Sequence, residues 1–506
     1  MEKSIYQQIC DNITDGILDC DFILHEQDSD DSVKWAPGAL DGVRIYHMSH
    51  TGMDAAQLKG MVRALKVAIC GDFSKADAMF FEWTKDVRAI NCIDELQNYI
   101  IDHSQTLEVR NIFHTALSLV LYSTHVECVK IGLELLELFG DPQERLKEII
   151  RRIGLYDEFT IFAVWNMQQW ENGNDEIFAI AKKVHGWGRI HAVEYLNPNT
   201  EEIRQWFLTE GTINGVINAY SALTCWQKSG AEGLLFGNPT SEEYVSITML
   251  IDGLMDEGPV PGISEIEDAE SVMLRYLKLS SSYTLSTDEY DVILSIRHWA
   301  DDRDVLSVSA TCDQILHSKD CTEAVEAAVK EGKALRLANE LEIPFRKDLL
   351  KCIRKDFDEN FYNCRYLMNC RDYIEPTLQI FREKLPFSEM AGEPEDNIGI
   401  GEEYEAYDKL QFILQELAAY PLVGIDFMAV GLRSPITRNR TRALTNLKCW
   451  VQEKQLSLAL LSPELFELVK DLRAQEVNDS AMALIIPLLN GQTLFTGDGD
   501  GSEDRS

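Results

Sequence analysis

Histidine is the residue of this chain best suited to metal or acid–base chemistry, and two histidine spacings bring imidazoles close together. His47 and His50 lie three residues apart, which places their rings side by side only on a helix, whereas the residues around them predict turns. His185, Trp187 and His191 form a polar and aromatic cluster at a predicted helix junction. We predict that this cluster binds a ligand or a partner. The alternative is a contact between repeats in which Trp187 fills the core.

Motifs for redox cofactors and metals are weak throughout the sequence. None of the 10 histidines follows a glutamate by three residues, as a di-iron carboxylate bundle requires, and none of the 12 cysteines forms the CxxC pair of a zinc site. Gly186–Gly188 and Gly399–Gly401 lack the βαβ pattern of a dinucleotide site. The ExxR pattern at Glu148–Arg151 is typical of an ion pair between neighbouring helical turns. The sequence therefore contains no legible haem, flavin or metal motif, we predict no metal ligands, and the cofactor and the catalytic residues are unknown.

Charge and hydropathy limit the classes of partner. The chain has 84 acidic and 47 basic residues and a net charge of −37, which disfavours nucleic acids and anionic membranes because both are bound through basic patches. No apolar run approaches the ~18 residues that a membrane span needs, and the first residues lack the apolar core of a signal peptide. The scattered cysteines are expected to be reduced. We predict no membrane span, no nucleic-acid partner and a cytoplasmic location.

The elements that must position any site are short amphipathic helices between Thr106 and Gly211. In Glu127–Phe139 the spacing places apolar residues on one helical face and charged residues on the other. The charged face consists of Glu127, Lys130, Glu134 and Glu137. Gly140 is predicted to end this helix in a left-handed conformation, and Asp141 to cap the next one. Tyr156–Trp170 is apolar nearly all round, which predicts a helix that is buried on more than one side.

Helix pairs recur at a regular step along this part of the chain. Gly140 to Gly173 spans one pair in 33 residues. Helices this short are marginal alone and must stack on neighbours. Pairs at this period are typical of an α-solenoid. We predict an all-α fold that forms an α-solenoid of HEAT-like helix pairs with an irregular N-terminal cap. The alternative is an irregular all-α globule.

Breaks in the helical pattern predict the organisation of the whole chain. The predicted segments are an irregular N-terminal cap at 1–54, a helical repeat array at 55–280, a helical continuation at 281–387, an acidic flexible linker at 388–405, a HEAT-like helical block at 406–490 and a disordered tail at 491–506. In the cap, Trp35–Gly42 reads as turns and Val43–Met48 as a short strand or an extended clamp. In the HEAT-like block, Ser462 and Pro463 are predicted to start a helix. The exposed side of another helix there is predicted to carry Arg438, Arg440 and Arg442.

A family resemblance is carried by Met1–Ile9, Trp35–Gly42 and Ile45–Met48, and the helical middle around Ile131–Gly140 is similar too. Over most of its length the chain resembles a group of bacterial proteins described as limonene hydroxylases. This resemblance implies hydroxylation of a small apolar monoterpene at an allylic carbon and NAD-linked oxidation of the resulting alcohol. Activation of O₂ requires a metal, haem or flavin, and the resemblance brings no catalytic motif to particular residues.

Two functions are therefore expected on different grounds. The resemblance implies a monoterpene-hydroxylating oxidoreductase, a monooxygenase that acts together with NAD. The residues themselves favour a non-enzymatic helical-repeat scaffold whose concave face binds a protein or a peptide. Neither ground identifies the cofactor or the partner.

Overall fold

The structure is a computed structural model of the chain and describes residues 3–25, 35–48, 53–105, 107–258, 260–399 and 401–490. Within these ranges the regular elements are helices apart from one hairpin, in which β1 (Ile13–Thr14) pairs antiparallel with β2 (Ile17–Leu18). The predicted all-α fold class is confirmed. His50 and the predicted tail at 491–506 lie outside the described residues. In the described ranges, no helix is both long enough and apolar enough to cross a membrane.

The helices follow one another closely and are mostly joined by short turns. Those of the first part of the chain are α1 (Ile5–Asp11), α2 (Ala39–His47), α3 (Ala55–Ile69), α4 (Phe73–Thr84), α5 (Ile93–His103), α6 (Val109–Tyr122), α7 (Val126–Glu137), α8 (Glu144–Ile153), α9 (Asp157–Gln168), α10 (Gly173–Ala181), α11 (Gly186–Tyr195), α12 (Glu201–Thr209), α13 (Ala219–Ser229), α14 (Ala231–Phe236), α15 (Ser241–Met255) and α16 (Ala269–Ser280). Those of the second part are α17 (Thr287–Asp302), α18 (Leu306–Leu316), α19 (Lys319–Ala328), α20 (Leu335–Glu340), α21 (Arg346–Lys355), α22 (Phe357–Asn360), α23 (Arg365–Met368), α24 (Arg371–Lys384), α25 (Glu405–Leu417), α26 (Ile425–Leu432), α27 (Thr437–Lys454), α28 (Leu458–Leu461), α29 (Pro463–Arg473) and α30 (Asp479–Asn490).

The chain divides into two compact units, one comprising Met1–Leu285 and Val292–Gln314 and the other Ser286–Asp291 and Ile315–Ser506. In the first unit, α7, α9, α11, α13 and α15 form a row in which each helix packs against the next. Helices α8, α10, α12 and α14 pack against members of this row. Helix α9 is buried nearly all round, as its apolar pattern predicts. The row therefore supplies much of the core of the first unit.

Residues 39–47 form helix α2, so the predicted strand or extended clamp at Val43–Met48 is wrong. The segment is too short for a clear hydrophobic period, and tertiary contacts decide its conformation. Ala39, Val43 and Tyr46 lie on one face of α2 and pack in a cluster that contains Trp187 of α11. Helix α2 therefore lies against α11, a member of the row.

In the second unit, α25, α26 and α30 pack against α27, and α29 packs against α26 and α30. Ser462 accepts a hydrogen bond from the N–H of Leu465, and Pro463 is the first residue of α29. The predicted helix start at Ser462 and Pro463 is therefore confirmed.

The segment predicted as an acidic linker forms backbone contacts beside α27. The N–H of Glu395 donates to the carbonyl of Pro435, and the N–H of Thr437 donates to the carbonyl of Asn397. Arg440 is fully buried beneath this segment and donates to the carbonyl of Glu395 at 2.9 Å. The predicted exposure of Arg440 is therefore wrong, because contacts distant in sequence cover that side of the helix.

Candidate partner-binding groove beneath helix α2

Helix α7 places a fully buried lysine beneath α2. The ammonium of Lys130 donates to the carboxylates of Asp41 at 2.5 Å, Glu158 at 2.5 Å and Glu127 at 3.0 Å. Asp41 belongs to α2 and Glu158 to α9, whereas Glu127 lies one turn before Lys130 on α7. One cation therefore joins three helices that are distant in sequence.

Arg88 completes this charged network. Its Nε lies 3.2 Å from Asp41, and its Nη2 lies 2.8 Å from Glu127. Each carboxylate oxygen of Asp41 thus has its own cation, Arg88 at Oδ1 and Lys130 at Oδ2. The backbone N–H of Gly38 donates to Glu158 at 2.5 Å, which holds the start of α2 on α9.

The network favours charged forms in spite of burial. Burial alone would raise the pKa of Asp41, but the charges of Lys130 and Arg88 lower that pKa below its ordinary value. Burial would lower the pKa of Lys130, but Asp41, Glu127 and Glu158 raise that pKa above its ordinary value. Lys130 is therefore an ammonium at neutral pH and has no lone pair for nucleophilic attack. The geometry suits the binding of a carboxylate rather than covalent catalysis.

An aromatic wall on α11 and α13 lies beside the charged network. A Cβ on Gly42 would lie 2.1 Å from Cε3 of the Trp187 indole, so glycine at this position lets α2 approach closely. The ring centroids of Tyr46 and Tyr220 lie 6.2 Å and 4.8 Å from that of Trp187. The hydroxyl of Tyr220 lies 2.7 Å from Nε2 of His47, at the end of α2. We call the surface formed by Lys130, Glu158, Trp187, Ile190 and Tyr220 the α2 groove.

Two buried side chains near the α2 groove have polar atoms with no hydrogen-bond partner among the described residues. Nε2 of His191 has none, and burial lowers the pKa of this imidazole to about 4. Neither carboxyl oxygen of Glu134 has one, and burial, with Glu127 and Asp41, raises the pKa of Glu134 well above its ordinary value. Unpaired buried polar groups are rare because each costs stability, so both positions require an explanation.

Asp157, the first residue of α9, fixes the start of α11. Its carboxylate accepts hydrogen bonds from the backbone N–H groups of Gly188 and His185, and burial raises its pKa to about 7. A Cβ on Gly188 would lie 2.6 Å from this carboxylate. Trp187 lies between the two donors. The same helix, α9, therefore holds α11 through Asp157 and the start of α2 through Glu158.

The structure separates the three residues that the sequence singles out. Trp187 and His191 are buried with ring centroids 6.2 Å apart, and the His191 ring lies parallel to that of Tyr46. His185 is exposed and contributes its backbone N–H to Asp157. Two of the three residues therefore lie beneath α2. The role of the trio in binding remains a prediction.

Sequence reasoning missed the charged half of the groove. The amphipathic interpretation of α7 assigns Lys130 and Glu134 to a polar face opposite the apolar one, yet both are buried. A signal was present, because Val129, Ile131 and Leu133 alternate with them and make α7 apolar on every side. Charged residues within an all-round apolar helix indicate buried charges that need partners.

No protein-family model matches the chain, no curated protein matches it, and no solved structure matches it. The contacts of the α2 groove are therefore the basis for its interpretation.

Proposed function

We propose that the chain is a non-enzymatic helical-repeat scaffold, an α-solenoid of HEAT-like helix pairs, that binds a helical segment of a partner protein in the α2 groove. The row of α7, α9, α11, α13 and α15 supports a repeat arrangement, because each helix of the row contacts the next. Arrays of this kind present extended concave surfaces to their ligands. Under this proposal the row supplies the concave face.

The way in which α2 is held carries the proposal. Within α2 and its N-cap, Asp41 contacts α7, Gly38 contacts α9, Gly42 contacts α11 and His47 contacts α13. The segment thus crosses four helices of the row, and none of them is its neighbour in sequence. An amphipathic helix laid into a groove is a recurring mode of peptide recognition. We interpret α2 as an internal helix that occupies a site for a partner helix.

A peptide of residues 35–48 tests this proposal by competition with the chain's own α2. The variant Asp41→Asn loses one charge of the Lys130 network and therefore vacates the α2 groove more often than the native chain. We expect the labelled peptide to bind the variant about tenfold more tightly, because a larger fraction of the groove is free. Fluorescence anisotropy measures the difference, and Asp102→Asn, at an exposed position of α5, is the control. If the peptide binds neither the native chain nor the variant, the proposal is wrong.

Monoterpene hydroxylation with NAD is the second candidate, and the resemblance at Trp35–Gly42 and Ile45–Met48 favours it. These stretches form α2 and the turn that precedes it. The described residues contain one two-stranded antiparallel sheet and no parallel βαβ unit of the kind that binds dinucleotides. The test is NADH oxidation by the purified chain with limonene, together with its visible spectrum. Limonene-dependent NADH consumption would support this candidate, and no consumption would exclude it.

A further inference from the structure

We infer that the α2 groove selects partner helices in which a carboxylate residue is followed directly by glycine, with a second glycine three positions before the carboxylate. The inference rests on the proposed function and names the class of partner: an amphipathic helix with the pattern Gly-x-x-Asp-Gly. In this chain the pattern is Gly38-Ala-Leu-Asp41-Gly42.

The carboxylate position is defined by two converging cations. Arg88 and Lys130 donate to different oxygens of Asp41, so the site is built for both oxygens of one carboxylate. Asp41 is 1% exposed, and an asparagine there would give Lys130 an amide in place of an anion. Lys130 would keep Glu127 and Glu158 as partners, so the groove itself remains neutralised when its occupant leaves.

The glycine positions are defined by two close approaches. The Trp187 ring occupies the place of a side chain at Gly42, where a Cβ would lie 2.1 Å from the nearest ring atom. The backbone carbonyl of Asp157 lies 2.8 Å from the place of a Cβ at Gly38, and Gly38 has a φ of +74°, which favours glycine. Consecutive residues on a helix point about 100° apart. The carboxylate therefore faces α7 while the following glycine faces α11.

A peptide series against the full-length Gly42→Ala chain tests the inference. The added Cβ expels α2 from the Trp187 ring and leaves the groove free for a peptide. The matched control chain is Gly233→Ala, since a Cβ on Gly233 of α14 meets no atom within 4 Å. The Asp41→Asn chain serves as a second opened groove if the first variant fails to fold, which circular dichroism reveals.

The peptides span residues 35–48 and differ at one position each. We expect the native peptide to bind the opened chain, and peptides with Asp41→Asn or Gly42→Ala to bind at least tenfold more weakly. The control peptide carries Met48→Ala, because Met48 is 53% exposed, and it should match the native peptide. Equal binding of all four peptides would overturn the inference while leaving the scaffold function in place.

Two further outcomes are distinguishable in the same experiment. Lack of binding by every peptide to both opened chains would contradict the proposed function as well as the inference. Light scattering on the opened chain detects a dimer that forms in place of the peptide complex. Such a dimer would assign the groove to a second copy of the chain and would overturn the inference of a separate partner helix.

Discussion

The two units each bury a charged network, and the networks differ in how many carboxylates pair with the buried cation. In the second unit, Arg440 and Glu476 form a two-point ion pair with both distances at 2.7 Å, and neither side chain is exposed. The other guanidinium contacts of Arg440 are to backbone carbonyls, those of Ser434, Pro435 and Glu395. In the first unit, Lys130 is equally buried but pairs with three carboxylates, those of Asp41, Glu127 and Glu158.

Because of this difference, we expect the Arg440 pair to be required for folding, whereas the Lys130 network can lose one carboxylate and remain paired. Glu476 is the only carboxylate that pairs with Arg440 in the described residues, so its loss would leave a buried cation with carbonyls alone. Lys130 has three carboxylates, and two of them remain when α2 leaves. Removing a charged partner should therefore destabilise the second unit as a whole, whereas in the first unit it should only release α2.

The largest expected effect is that of Arg440→Met in the second unit. The substitution leaves Glu476 buried without its cation, and breaking a buried pair in this way costs about 3–5 kcal/mol. Urea denaturation of the full chain measures the loss of unfolding free energy. The double variant Arg440→Met/Glu476→Met should recover part of it, because no unpaired charge remains, although the carbonyls of Ser434, Pro435 and Glu395 still lose the Arg440 donors. A single variant as stable as the native chain would contradict the structural role of this pair.

The second prediction concerns pH and His191. Burial lowers the pKa of His191 from 6.5 to about 4. Between these two pH values the imidazole is therefore protonated in the unfolded chain and neutral in the folded chain. The native chain therefore loses about 3 kcal/mol of stability from this group as the pH falls from 6.5 to 4. In His191→Phe that loss is absent. Unfolding free energies at pH 7, 5.5 and 4.5 should diverge between the two proteins, and parallel curves would refute the buried neutral imidazole.

The third prediction is the local effect of Gly42→Ala. A Cβ in contact with the Trp187 ring costs about 1–3 kcal/mol, the usual range for overpacking. Because α2 can leave the groove, we expect the substitution to destabilise residues 39–47 locally and to leave the free energy of global unfolding unchanged. Hydrogen exchange should show faster exchange in α2 and unchanged exchange in α7. A lowered global stability with α2 still protected would mean that α2 is a fixed part of the core.

The fourth prediction is a gain in stability. Burial raises the pKa of Glu134 in the folded chain. Its favourable contribution to the free energy of unfolding is therefore fully present below the pKa of the unfolded chain, near pH 4.5. That contribution is lost as the pH rises towards the pKa of the folded chain. Glu134→Gln cannot ionise and avoids this loss, so we expect the variant to be more stable than the native chain at neutral pH. The melting temperature of the variant should exceed that of the native chain by more at pH 8 than at pH 5. A constant difference would show that ionisation of Glu134 is not the cause.

The smallest expected effect is at a surface ion pair. Lys319 and Glu323 of α19 lie 3.3 Å apart with side chains 84% and 62% exposed. Exposed pairs of this kind contribute little because solvent screens them. Lys319→Ala should leave the melting temperature within error of the native value. A clear decrease would show that burial is not what distinguishes the two networks from the rest of the charged surface.

The sequence predicted local features better than distant ones. Gly140 has a φ of +65°, as its predicted left-handed conformation requires, because that conformation depends on one residue alone. The predicted cap at Asp141 is wrong, since α8 begins at Glu144 after Gln143. Asp141 instead forms an ion pair with Lys147 at 2.5 Å. A carboxylate can make either contact, and the local pattern does not choose between them.

The α2 groove could not be predicted from a single sequence. Asp41 and Lys130 are 89 residues apart, and no periodic pattern links α2 to α7. Gly42 looked like part of a turn, and its close contact with Trp187 is visible only when both helices are in place. The aromatic half of the groove was easier to predict, because Trp187 and His191 lie at helical spacing on one helix.

Hydrogen exchange of α2 in the native chain, with and without excess peptide of residues 35–48, decides whether another helix can displace α2 from its groove. We predict that the peptide enters the α2 groove and that amides 39–47 of the chain then exchange at least tenfold faster, whereas the Asp41→Asn peptide has no such effect. Unchanged protection of α2 at saturating peptide would show that this helix is a permanent part of the first unit and that its groove binds no other helix.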